Sequence, residues 1–233
     1  MTLLAAEHVV ALLATAIVSA LAVWAGRRRP GRWLRPAARG LAALIVAAAL
    51  IEQAVAVARG TWSLAVYLPL HLSDVVTVVA ALALWSLQPL LVELTYFWGL
   101  TASLQAVITP DLTSGYPDIT YFTFFVTHSG VVAGALLLVG GLGIAPRPGA
   151  VRRAFVATLA VAGVAAVANV ATGGNYMFLR EKPDGSLLDL FGPWPLYIAV
   201  AAILALALFA ALDAPFRTGR SAPDQNAVAS ASG

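Results

Sequence analysis

The chain has 233 residues, 61% of them hydrophobic and only 11% charged, with a formal net charge of +3. A soluble domain carries about 25% charged residues, so the composition excludes an ordinary globular protein and points to an all-α polytopic membrane bundle. The basicity, a pI of about 9.6, sits in loops and tails with no continuous basic stripe, which excludes nucleic-acid binding; the absence of cysteine excludes disulfides, thiolate metal sites and a cysteine nucleophile.

Apolar runs of about 20 residues, each able to cross a hydrocarbon core of ~30 Å, predict seven spans. The first covers residues 8–26. It has no basic leader or small-residue cleavage site and reads as a retained span. An Arg-rich loop, residues 27–39, leads to the second span at 40–58. The third, 67–87, begins with YLPLHLSD and ends at a Gln88-Pro89 turn. The fourth, 90–108, is the least apolar and holds Glu93, Tyr96, Trp98 and Gln105. The fifth, sixth and seventh cover 119–143, 151–172 and 193–212. Residues 1–215 form one bundle domain, and the small polar tail at 216–233 is expected to be disordered.

Seven crossings put eleven of the fourteen basic residues on one side and leave Arg59, Arg180 and Lys182 on the other. The positive-inside rule then places the amino terminus outside and the carboxyl terminus and its tail in the cytoplasm. A re-entrant fourth span would reduce the count to six and place Arg147, Arg152 and Arg153 opposite the first arginine cluster.

At 1.5 Å per residue, Glu52, His71, Asp74, Gln105, His128 and Asn169 come from five spans into the outer half of the bundle. An ionisable group in hydrocarbon costs about 2.5–3.5 kcal/mol on insertion scales, which makes this level the candidate functional site. Helical spacing gives His71 and Asp74 one face, Tyr121, Phe125 and His128 another, and Trp98, Thr101 and Gln105 a third. A structural reading stands beside the functional one: Gln53, Gln105 and Asn169 suit interhelical hydrogen bonding at roughly 0.6 kcal/mol each. Glu93, nearer the cytoplasmic edge, suits solvation or a helix start, and His8 an interfacial position. In the outer loop at 171–195, Tyr176, Phe178 and Trp194 suit an interfacial belt. Residues 186–190 suit a short helix, and Arg180 and Lys182 suit a lipid headgroup or pairing with Asp184 and Asp189.

Five pieces carry a family resemblance: HLSD at 71–74, YFWGLTASLQAVITPDL at 96–112, His128 in FFVTHSG, NYMFLREKP at 175–183 and SLLDLFGPWPLY at 186–197. On these pieces, in this order, the chain resembles the bacterial YwaF-like membrane family, distantly similar to eukaryotic transmembrane protein 164. The resemblance implies residence in a bacterial plasma membrane. It also implies phospholipid acyl transfer by a cysteine and a histidine. His128 matches that histidine, and Ser73 stands where relatives carry cysteine in an HLCD-like motif. The chain departs from the pattern in having no thiol.

Two classes of function stay open, with a third blander one. In an acyl-transfer or hydrolytic enzyme acting on membrane lipid, Ser73 attacks an acyl ester and His128, or alternatively His71, is the base. Asp74 or Glu52 orients an imidazole, and Gln105, Asn169 or Asn175 donates to the oxyanion. Tyr96, Trp98 and Arg180 are further candidate substrate contacts. No G-x-S-x-G elbow surrounds Ser73. A zinc variant would use His71, Asp74, His128 and Glu52, without an H-E-x-x-H spacing to support it. In the second class the same groups relay protons or bind a small solute in a transporter; in the third they only hold a scaffold together. No cofactor is implied. Membrane lipids, including a phospholipid substrate, are the expected partners, and no protein partner is specified.

Overall fold

The structure is a computed structural model that describes residues 5–112, 114–183 and 187–218. Among the described residues seven helices make the bundle: α1 (Ala6–Arg28), α2 (Leu34–Ala58), α3 (Leu72–Ser86), α4 (Pro89–Ile108), α5 (Ile119–Gly141), α6 (Ala150–Thr172) and α7 (Leu196–Thr218). Six are long and apolar enough to cross a membrane; α3, with 15 residues, is shorter. The protein is therefore an all-α, polytopic helical bundle.

Local chemistry sets the helix ends. Pro89 occupies the first position of α4, where its missing N–H would be unpaired in any case. The Asp118 carboxylate caps α5 by accepting from the Thr120 N–H at 2.9 Å. Gly173 ends α6 in the left-handed region, with φ +76°.

The central helix is α5, buried along most of its length, and α1, α2, α3 and α4 pack around it. Glycine permits three close approaches. A Cβ on Gly130 would meet Ile45 of α2 at 2.4 Å, one on Gly134 would meet Leu84 of α3 at 3.2 Å, and one on Gly99 of α4 would meet Val131 of α5 at 3.2 Å. Ile45, Val76, Leu84, Phe97, Val131 and Leu138 fill the resulting core. On the outer side of α4, α6 and α7 pack together, with the Trp98 indole donating to Thr158 of α6 at 2.8 Å.

The third span differs most from expectation. Residues 67–71 are not helical, and α3 begins at Leu72. Pro69 removes a donor and restricts Leu68, and His71 stays extended at φ −68°, ψ 148° as the residue preceding the helix. The second span begins earlier than expected, because Pro36 falls in the first turn of α2, where proline is tolerated. The seventh runs on through Pro215 to Thr218, so residues 216–218 of the expected tail are helical. Residues 219–233 of that tail lie outside the described residues.

A π-turn interrupts α4 at Gly99–Ser103, and a second forms the last turn of α5 at Leu137–Gly141. The first changes the faces of α4. From its last residue onward the buried positions are Ser103 and Val107, and Gln105 is exposed. The expected common face of Trp98, Thr101 and Gln105 is thus broken by the wider turn.

Candidate functional site

His71, Asp74 and Glu52 meet where α2 and α3 face the α6–α7 loop. The Asp74 carboxylate accepts from the His71 backbone N–H at 3.3 Å, closing the first turn of α3. Glu52 on α2 lies within electrostatic reach of Asp74, and Asp111, in the α4–α5 loop, within reach of His71. The His71 ring lies between Tyr176 and Phe178, with centroids at 5.4 and 5.3 Å, and its Nδ1 accepts from the Met177 N–H at 3.2 Å. That bond makes Nδ1 the acceptor and leaves the proton of the neutral ring on Nε2.

Tyr176 fixes the loop that covers this end. It is fully buried, contrary to the expected place in an interfacial belt. Its hydroxyl donates to Leu64 O at 2.6 Å and accepts from Leu68 N at 3.0 Å, joining the α6–α7 loop to the α2–α3 loop. Asn169 holds its backbone, donating through Nδ2 to Tyr176 O and accepting from Tyr176 N. Both ends of the Asn169 amide are therefore engaged in architecture. Gln53 is engaged likewise, with Tyr67 O and the Trp62 indole.

His128 stands apart from the His71 group, on α5. Its ring stacks on Phe124 with centroids 4.1 Å apart, and Nδ1 lies 2.8 Å from Phe124 O. A carbonyl only accepts, so Nδ1 carries the proton and Nε2 is the free acceptor; among the described residues Nε2 has no hydrogen-bond partner. Ser73 is not that partner. Leu84 of α3 packs on Gly134, and Ser73 lies about three turns, roughly 16 Å, before Leu84 on nearly the same face. His128 lies only about 9 Å before Gly134 and about 120° around α5 from it. The ring is thus deeper than Ser73 and turned away from α3, toward α4 and α1.

Two hydroxyls missed in the sequence share the level of the ring. Ser103 lies one turn beyond Gly99 on α4, and Thr127 one turn before Val131 on α5; Gly99 packs on Val131. Both are buried, and neither hydroxyl has a partner among the described residues. Both lie in stretches that carry the resemblance, Ser103 within 96–112 and Thr127 within FFVTHSG, but a helical hydroxyl has no signal of its own that separates it from ordinary packing. Asp111 carried a signal, a loop carboxylate at the same outer level.

The remaining candidates are dispersed. Tyr96 donates to Leu212 O of α7 at 3.2 Å, and Trp98 is buried against α6. Gln105 bonds to Thr109 on the surface. Asn175 closes its own loop by accepting from the N–H groups of Arg180 and Glu181, and Arg180 reaches toward Gly174 O at 3.4 Å. Lys182 pairs with Asp189 at 3.4 Å, in the expected short helical segment (Leu187–Phe191); Asp184 lies outside the described residues. Glu93 is neither solvated nor at a helix start. It is 1% exposed and accepts from Arg147 and Arg153 at 2.8 Å each, clamping α4 to the start of α6. His8 is likewise buried, with Nε2 3.0 Å from Val107 O. Among the described residues, no three His, Asp or Glu side chains gather as metal ligands.

The family model described as the TMEM164 family matches residues 3–213. No curated protein and no solved structure matches the chain.

Proposed function

We propose, from the premise that the chain belongs to the TMEM164 family, that this multi-pass membrane protein transfers or hydrolyses acyl groups of membrane lipids with His128 as its base. The observation that carries the reading is the state of that ring. The Phe124 ring fixes its plane, the Phe124 carbonyl accepts from Nδ1–H, and Nε2 is left as an unpaired acceptor inside the bundle. A positioned imidazole of this kind removes a hydroxyl proton as the oxygen attacks an ester carbonyl, then returns it to the departing oxygen. Ser103, a buried hydroxyl without a partner at the level of the ring, replaces Ser73 as the candidate nucleophile for this base.

Lipid profiling of membranes with and without the protein tests this reading. The acyl composition should differ, and His128→Ala should abolish the difference. Ser73→Ala and Ser103→Ala assign the hydroxyl. An unchanged lipid profile, or a fully active His128→Ala, would refute the reading.

The topology that goes with it has seven crossings in a bacterial plasma membrane, amino terminus outside. The distribution of eleven basic residues against three supports it, with α3 completing its crossing through the non-helical residues 67–71. One observation favours a second reading. Glu52 lies within electrostatic reach of Asp74, and among the described residues no cationic side chain is bonded to either carboxylate, an arrangement suited to carrying protons with a small solute. Proton uptake by proteoliposomes that is lost in Asp74→Asn would favour that reading over the enzyme.

A further inference from the structure

Helix α1 is fastened to the bundle at its two ends. Near its start, Tyr121 donates to Glu7 O at 2.7 Å and the His8 ring meets Val107 O. Near its end, Gly26 lies against Gly141, and the Arg27 Nε donates to Gly140 O at 2.6 Å. Between these points α1 stays on α5 through Thr15 and Ser129 but stands off from α4, leaving an open groove of about 680 Å³. Its walls are apolar, with Leu12, Ala16 and Val23 facing Leu100, Leu104 and Val132. The Thr15 hydroxyl is already bonded to Ala11 O and Ser129.

One end of the groove is charged. Arg27 and Arg28 line it there beside Trp24, and among the described residues neither forms an ion pair with a carboxylate. Arg29, next in the chain, lies over the Trp24 ring at 5.5 Å. From Leu12 to Arg28 the groove follows about 24 Å of helix, more than the ~15 Å depth of one leaflet's hydrocarbon. An apolar channel of leaflet depth ending at two unneutralised guanidinium groups and an indole has the profile of a diacyl lipid with a negative headgroup. Arginine supplies the planar donors that suit a phosphate, and tryptophan marks the headgroup level.

We infer that this groove is a binding site for an anionic glycerophospholipid, its phosphate on Arg27 and Arg28 and one acyl chain lying between α1 and α4. The inference goes beyond the acyl-transfer reading and does not depend on it: the readout is lipid retained, with Ser73, Ser103 and His128 intact.

The test uses the full-length protein, delipidated in detergent and reconstituted in vesicles of equal phosphatidylglycerol and phosphatidylcholine. Lipid that remains bound after re-extraction is identified by native mass spectrometry. The wild type should retain phosphatidylglycerol preferentially. Arg27→Gln with Arg28→Gln should reduce that preference by about fivefold for each guanidinium removed. Ala20→Phe, which projects into the groove, should lower retention of both lipids at an unchanged melting temperature. If Ala20→Phe does not fold, the arginine variants, altered only at exposed positions, decide alone. Added inorganic phosphate should not displace the lipid. Equal retention of the two lipids by the wild type, a preference that survives the double arginine variant, or displacement by phosphate would each overturn the proposal. So would a change from dimer to monomer in Ala20→Phe without loss of lipid, which would assign the groove to a second copy of the chain.

Discussion

Asn169 and Tyr176 are joined by two hydrogen bonds, the Asn169 amide donating to Tyr176 O at 3.0 Å and accepting from Tyr176 N at 2.6 Å. Both residues are buried, so Asn169→Ala leaves two main-chain groups without partners. At roughly 1–3 kcal/mol for each unsatisfied group, the substitution should lower stability by about 2–6 kcal/mol. Thermal unfolding in detergent measures the loss. Tyr176→Phe, which frees Leu64 O and Leu68 N at the more accessible side of the loop, should cost less. The reverse order would contradict the assignment of Asn169 as the main fastening.

Gly26→Ala should destabilise the bundle, because the added methyl would lie 2.7 Å from Gly141 Cα, a backbone atom that cannot move aside. Overpacking of this kind costs about 1–3 kcal/mol. Gly163→Ala is the control, since nothing lies within 4 Å of its Cβ position. There the helix propensity of alanine should leave the melting temperature unchanged or raise it. Equal melting temperatures for the two variants would show that α1 does not seat on Gly141.

Glu93 organises two arginines, so its replacement should do more harm than the loss of either one. Glu93→Gln removes the charge that Arg147 and Arg153 share. Arg147 is about half exposed and can turn to solvent, so Arg147→Gln should be the mildest of the three. Arg153→Lys should fall between, because a lysine cannot supply the two donors, Nε and Nη2, that Arg153 directs at the carboxylate. Unfolding of the three variants under one condition gives the order directly.

The Arg59–Asp118 pair predicts a response to acid. The Arg59 hydrogen bond, with those of the Thr120 N–H and hydroxyl, holds the Asp118 carboxyl down at about 2. A depressed carboxyl contributes stability above its unfolded value, near 4, and the contribution is lost as pH falls through the folded value. Wild type should therefore be more stable than Asp118→Asn at neutral pH, with the gap closing between about pH 4 and pH 2. A gap that stays constant over that window would show that the ion pair is not formed.

Topology can be read without background labelling, because the chain has no cysteine. Single substitutions Arg32→Cys and Gly115→Cys, treated with a membrane-impermeant maleimide on intact cells, should give protection at position 32 and labelling at 115. The opposite pattern would invert the proposed orientation.

The spans were legible because an apolar run of about 20 residues has few physical outcomes. The start of α3 was less so: Pro69 announced a turn, but only the seating of His71 against Met177 shows where the helix begins. Gln105 was misplaced by a π-turn that a 3.6-residue period cannot represent. The aromatic character of Tyr176 was plain in the sequence and its burial was not, since the backbone groups bonded to its hydroxyl are more than a hundred positions away. Pairing Ser73 with His128 failed for a related reason. Depth along a helix follows from residue number, but the side of α5 that receives α3 is decided by Gly134, which carries no chemical signal of its own.

The π-turns of α4 and α5 give the chain an unusual relation to insertions and deletions. Each wide turn accommodates one residue more than a regular helix would over the same rise. Deleting a single residue from Gly99–Ser103 would restore regular winding and rotate everything distal to it by about a quarter of a revolution. The bundle thus stores an angular offset in its backbone, and losing one codon there would re-aim the last quarter of α4 while leaving its hydrophobicity untouched.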